Sequence, residues 1–123
     1  MASRRTTLPI IKDFVFKHGN DFVFEYIVKN PDHTAIDNTG WRIDMDIRQS
    51  YSSAVIRRFS SETSDFTLGG ATGTITLRIP LAEINGYKLQ SHVYDIRETY
   101  NDDTSKHRYR GVITVEEAST RDP

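Results

Sequence analysis

Cysteine is absent from the 123 residues. That excludes a disulfide framework and any thiolate metal site, and it fits a protein made in a reducing cytoplasm better than a stapled secreted domain. No window approaches the ~20 apolar residues that span a bilayer. The opening Met-Ala-Ser-Arg-Arg-Thr-Thr-Leu-Pro carries the arginine pair of some export signals, but no apolar stretch of ~7–15 residues follows it. It reads as an extended arm. Charge of one sign is lacking too: 16 basic and 17 acidic residues leave a formal net charge of -1, so no overall field draws the chain to nucleic acid or anionic lipid. A helical period of 3.6 is missing from every window of 11 or more residues.

What is present is enough for one core: hydrophobic residues make up 37% and aromatics 11%, ordinary values for a single folded domain of this length. Period-two alternation recurs throughout. Phe14 to Phe16 is extended, and Phe22, Phe24, Tyr26 and Val28 share one strand face after the turn at His18-Gly19-Asn20. Turn chemistry fills Lys29 to Thr34 and Asp37 to Gly40, with one short edge strand expected around Ala35-Ile36. The cleanest strand runs from Trp41 to Gln49, where Trp41, Ile43, Met45 and Ile47 interleave with Arg42, Asp44, Asp46 and Arg48. Ala54 to Phe59 is a shorter strand. Ile75, Leu77 and Ile79 follow the turn Gly69-Gly-Ala-Thr-Gly73. Pro80 to Asn85 reads as one helical turn stopped by Gly86. Tyr94 and Ile96 face inward, Asn101-Asp102-Asp103 makes a hairpin tip, and Arg108 to Val115 closes the sheet with Gly111 as an expected bulge. About seven short strands at ~8–12-residue spacing predict a sandwich or barrel with one short helical turn. The organisation is therefore an arm at 1–9, a β-domain at 10–115 and a polar tail at 116–123. The expected core is Phe22, Phe24, Tyr26, Trp41, Ile43, Met45, Ile47, Ile75, Leu77, Ile79, Tyr94 and Ile96. Asp-Phe-Val-Phe occurs at Asp13 and again at Asp21, which reads as a shared strand pattern and not a structural repeat.

Chemistry-bearing residues are scattered. His18, His33, His92 and His107 have no ligand spacing, and no metal or other cofactor is implied. Asp44 and Asp46 share a strand face and could bind Ca²⁺ or act as paired carboxylates, but Arg42 and Arg48 flank them, which predicts a solvent-side ion-pair ladder. Asn101-Asp102-Asp103 lacks the glycine and final glutamate of a calcium loop. No Gly-x-Ser-x-Gly elbow occurs, and Gly69 to Gly73 precedes a strand where a phosphate loop needs a helix. Arg57, Arg58, Lys106, Arg108 and Arg110, with Tyr100 and Tyr109, sketch a stripe for single-stranded nucleic acid, offset by Glu98, Asp102 and Asp103. No catalytic constellation emerges, and no enzyme activity is expected.

The ending, Gly73-Thr-Ile-Thr-Leu-Arg-Ile-Pro80, then Gly86-Tyr87, then Tyr94-Asp-Ile96, then Arg110-Gly-Val-Ile-Thr-Val115, resembles small immunoglobulin-like proteins encoded among phage tail and baseplate genes. The resemblance spans roughly Asp21 to Val115 and includes the polar turn Asp37-Asn-Thr-Gly40. This chain departs from it in having Gln90-Ser91 before the Tyr-Asp strand, which lengthens that approach. The resemblance implies an immunoglobulin-like antiparallel β-sandwich. It further implies a non-enzymatic virion component, a tail, baseplate or fibre-attachment module made and assembled in the host cytoplasm. The partners it implies are other phage structural proteins and copies of itself, with no membrane, nucleic acid or small-molecule ligand. Arg4, Arg5 and Leu8 of the arm are the expected partner contacts, alongside the tail and a sheet edge. The alternative is a carbohydrate- or ligand-binding sandwich in which exposed Tyr51, Tyr87 or Tyr100 stacks on sugar.

Overall fold

The computed structural model describes residues 9–117. Alternating residues build nine strands: β1 (Ile10–Ile11), β2 (Phe14–Lys17), β3 (Phe22–Ile27), β4 (Arg42–Arg48), β5 (Val55–Ser60), β6 (Phe66–Leu68), β7 (Thr74–Ile79), β8 (Ser91–Thr99) and β9 (Ser105–Glu116). One helical turn, α1 (Leu81–Ile84), carries the chain from β7 to β8. Pro80 is its N-cap and not its first helical residue, a position where its missing N–H costs nothing. The larger sheet has the order β1-β9-β8-β4-β5 with β2 also on β9, and the smaller one has the order β3-β7-β6. A three-strand centre of β9, β8 and β4 facing β3, β7 and β6, with β5 added beside β4, is the strand order of an immunoglobulin-like sandwich.

The first strand departs from antiparallel pairing. β1 and β2 both run parallel to β9, and the break between them lies at Lys12-Asp13, where the chain crosses Gly111. A Cβ on Gly111 would overlap the Lys12 carbonyl oxygen, so glycine there serves a close backbone approach. Gly111 is thus not the bulge its place in β9 suggests: it sits in unbroken register with Tyr94, and the irregularity falls between Ile96 and Arg97. Asp13 holds the crossing by accepting from the Val112 N–H at 3.0 Å, while the Tyr94 hydroxyl donates to the Lys12 carbonyl at 2.6 Å.

Ile43, Met45, Ile47, Ile75, Leu77, Ile79, Tyr94 and Ile96 are buried between the sheets as the alternation requires, with Tyr26 beside them. Phe14, Phe16, Val28, Phe59, Phe66, Ile84, Ile113 and Val115 complete the core, each worth roughly 1.5–3 kcal/mol of apolar burial. Phe22, Phe24 and Trp41 are exceptions to the expected core, being only partly buried. β3 is the end strand of its sheet, so its inward rings are covered on one side only. Trp41 lies one residue before β4, at the mouth of the sandwich, edge-on to Tyr100 with ring centroids 4.6 Å apart. The short edge strand around Ala35 is a single bridge to Lys29. The two Asp-Phe-Val-Phe segments meet across the sandwich: Phe14 lies 5.0 Å from Phe22 and 4.9 Å from Phe24, and Phe16 lies 4.9 Å from Phe22.

Candidate functional site

The outer face of the larger sheet concentrates charge. Asp46 on β4 is gripped by Arg58 of β5 through two bonds of 2.6 and 2.9 Å, with Arg48 3.6 Å away. Asp44 meets Arg42 at 3.0 Å and Arg97 at 3.5 Å. Asp95 on β8 meets His107 Nδ1 at 2.7 Å, and the Arg110 guanidinium lies over the Tyr51 ring at 4.1 Å. Register explains the pattern, since Asp46 pairs directly with Arg58 and Asp95 with Arg110. The ladder predicted for Asp44 and Asp46 exists on this outer face, but its carboxylates are covered: the two are 2% and 6% exposed. The arginine stems lie over them and form a lid. Burial pushes the Asp46 carboxyl up, yet its bond to Arg58 and the charges of Arg58, Arg97 and Arg48 outweigh this and hold it below the usual range. A carboxylate so held neither donates a proton nor takes one near neutrality. Two open depressions mark this face, one of about 380 Å³ lined by Arg42, Asp44, Arg58, Arg97, Asp103 and Ser105 among others. The second, of about 230 Å³, is lined by Pro9, Tyr51, Asp95, His107 and Arg110.

A second charged group is enclosed between the sheets. Glu98 is 0% exposed and accepts from Arg108 twice at 2.9 Å, from the Tyr26 hydroxyl at 2.9 Å and from the Tyr100 hydroxyl at 2.7 Å. Four donors satisfy the carboxylate and tie β3, β8 and β9 together. Tyr26 is pushed far above the ordinary phenol range by burial first and by the Glu98 charge second. This network was missed in the sequence, although Tyr94 and Ile96 facing inward already place His92 and Glu98 on the same face.

The remaining expected residues disperse. Arg4, Arg5 and Leu8 lie outside the described residues. The basic stripe does not assemble: Arg108 points inward to Glu98, Arg58 lies over Asp46, and Arg57 binds Glu83 of α1 at 2.8 Å. Among the tyrosines offered for sugar stacking, Tyr100 is committed to Glu98 and Tyr87 to Glu83 at 2.6 Å. Tyr51, 44% exposed, is covered by Arg110 on one face. His18 contacts the Tyr87 carbonyl at 2.8 Å, and buried His92 is held below its ordinary value by desolvation. No group of three or more metal-ligating side chains converges among the described residues.

Burial on the flank opposite β5 is poor. There β2, the end of one sheet, stands beside β3, the end of the other, and the exposed aliphatics are Ile10 at 51%, Ile11 at 69%, Val15 at 45%, Val23 at 54% and Ile27 at 48%. Singly exposed aliphatics are normal, but these lie on strands that end their sheets, and open strand edges are places that a partner covers.

No family model matches the chain, and no curated protein matches it. Among solved structures it is similar to Drosophila OTK, extracellular domains 3-5, at 16% identity with a TM-score of 0.38. That match covers 87% of this chain and 33% of the other, so the chain spans about a third of the length of that solved chain.

Proposed function

We propose that the chain is a non-enzymatic structural component of a bacteriophage virion, a tail, baseplate or fibre-attachment module that works through subunit–subunit contacts. The observation that carries the assembly role is the flank of exposed aliphatics along β1, β2 and β3, set against charged groups elsewhere that are consumed in internal pairs. Supporting it, the carboxyls of Asp32, Asp37, Asp46 and Asp102 are held toward the ionised form, which does not suit them to act as a general acid near neutrality. The phage setting rests on the resemblance of the segment from Gly73 to Val115. In this reading the protein is made and assembled in the host cytoplasm and resides in the virion, with other structural proteins and copies of itself as partners. Mass spectrometry of purified particles tests it: stoichiometric presence at a fixed ratio to tail proteins is expected, and absence from particles overturns the reading.

A further inference from the structure

The edge of β3 turned away from β7 is an unfilled half of a β-ladder. The Val28 N–H donates to the Gly73 carbonyl at 2.9 Å, and in the β3–β7 register Tyr26, Phe24 and Phe22 continue that bonded set opposite Ile75, Leu77 and Ile79. By antiparallel alternation Val23, Glu25 and Ile27 then direct their N–H and C=O groups outward, where no described strand pairs with them. The other outer strands are blunted. β5 carries Arg57 and Arg58 and a register shift opposite, β6 has three residues, and β2 is short and ends in Lys17. β3 has six residues, no proline, no lysine and no bulge. Natural sheets rarely leave such an edge bare.

We propose, resting on the assembly reading above, that this edge receives residues 4–8 of a second copy as an added strand. Charge selects the occupant. Asp21, at the start of the edge, is taken up by Arg78 at 2.6 Å and the Leu81 N–H at 2.8 Å, which leaves Glu25 as the central carboxylate, with the Thr76 hydroxyl as its described partner at 3.0 Å. Pairing β3 with its own copy would bring Glu25 beside Glu25, which is unfavourable. The segment Arg4-Arg5-Thr6-Thr7-Leu8 is basic, β-branched and long enough for the edge. In its period-two pattern Leu8 and Thr6 share one face, suited to the half-buried rings of Phe22 and Phe24, while Arg5 takes the other face beside Glu25. A chain cannot readily fill its own edge. Ile10 enters opposite Tyr109, whose ring packs on Phe24 and Tyr26. From there β2 runs opposite in direction to β3, since Phe14 touches Phe24 and Phe22 and Phe16 touches Phe22. Ile10 therefore lies toward the Ile27 end of β3, so filling this edge in cis would need a chain reversal at Pro9, whereas a neighbour's segment can enter straight.

With no native cysteine, a spin label at Thr7→Cys in full-length, unlabelled-isotope chain can be mixed with full-length ¹⁵N chain. The expected result is loss of at least half the amide signal at Val23, Glu25 and Ile27, with the β5 and β6 edges unaffected. Ile27→Pro in the ¹⁵N chain, which removes only an outward N–H, should restore the signals. Glu25→Lys should do likewise and stands in if the proline variant does not fold. No broadening on β3 of the ¹⁵N chain, or broadening untouched by both variants, would overturn the proposal. Particle mass spectrometry reads the assembly role separately: presence in particles with an unaffected β3 sinks this inference and leaves the virion reading standing.

Discussion

β4 and β3 both place large apolar residues on the inward positions of a period of two, and they reach opposite states. β4 is buried on both faces from Ile43 to Ile47, with Asp44 and Asp46 sealed under arginines. β3 leaves Val23 and Ile27 bare and covers Phe22 and Phe24 only in part. Position in the sheet accounts for the difference. β4 lies between β8 and β5, which supply Arg97 and Arg58 on its outer side, while β3 is flanked on one side by β7 and on the other by no described strand. A period of two assigns residues to faces, but strand order decides whether a face is closed. On these two strands, charge covers the outer side of β4, and apolar surface stays bare on β3.

The sharpest contrast is with the enclosed Glu98. Glu98→Ala strands Arg108 and two tyrosine hydroxyls, so a loss of about 3–5 kcal/mol is expected in urea unfolding, as for removal of one partner of a buried ion pair. Glu98→Gln, which keeps the shape and part of the bonding, should lose less. A loss under ~1 kcal/mol for the alanine variant would mean the network is not closed. Trp41, at the mouth beside Tyr100, should show a native emission only partly blue-shifted, and Trp41→Ala should cost about 2 kcal/mol, short of the ~3–5 expected for a fully buried tryptophan. A cost at the upper value would restore it to the core.

Acid should undo the finished region in two steps. Burial holds His92 below its ordinary value of 6.5, so the unfolded chain takes the proton first. The stability His92 contributes is complete above ~6.5 and is lost as pH falls below that toward its folded value. Asp46 is likewise held low by Arg58, so its contribution is complete above ~4 and is lost as pH falls further toward its folded value. Thermal melts from pH 8 to 3 should therefore fall in two stages, the upper one absent in His92→Gln and the lower one diminished in Arg58→Ala. A melt temperature flat between pH 7 and 5 would remove His92 from the account.

Much of this was readable from residues alone: the interleaved β4, the turn at Gly69 to Gly73, the helical turn after Pro80 and the hairpin tip at Asn101 are all local, and local chemistry decides them. The errors lie in strand order. The depth of Asp44 and Asp46 was missed because arginines that cover them come from β5 and β8, and Phe22 and Phe24 read as core because β3 is an end strand only where β1 and β2 dock on β9. That docking rests on a contact between Lys12 and Gly111 almost a hundred residues apart in the chain. Glu98 and His92 were within reach, since the inward alternation of Tyr94 and Ile96 extends to both. The four donors around Glu98 come from β3, β9 and the adjoining Tyr100, which no local pattern discloses. The expected partner contacts Arg4, Arg5 and Leu8 lie outside the described residues, and the acceptor edge they would seek became visible only with the strand order.

The smallest expected effect bears most directly on the contrast. Ile27→Thr on β3 replaces an outward side chain that is 48% exposed by another β-branched residue of high strand propensity. In dilute, isolated chains its unfolding free energy should change by no more than about 0.5 kcal/mol, the range of ordinary surface substitutions. The same step at Ile47 on β4, 2% exposed, introduces a hydroxyl into a closed core and should cost well over ~1 kcal/mol. If the flank is a contact surface, the Ile27 variant will match the parent in urea at low concentration and fall behind it in self-association measured by sedimentation at high concentration. Equal sedimentation would mean that the exposed aliphatics of β3 are idle. A large loss of stability in the dilute monomer would mean instead that the chain already covers this strand itself, and the difference between the two regions would be one of degree.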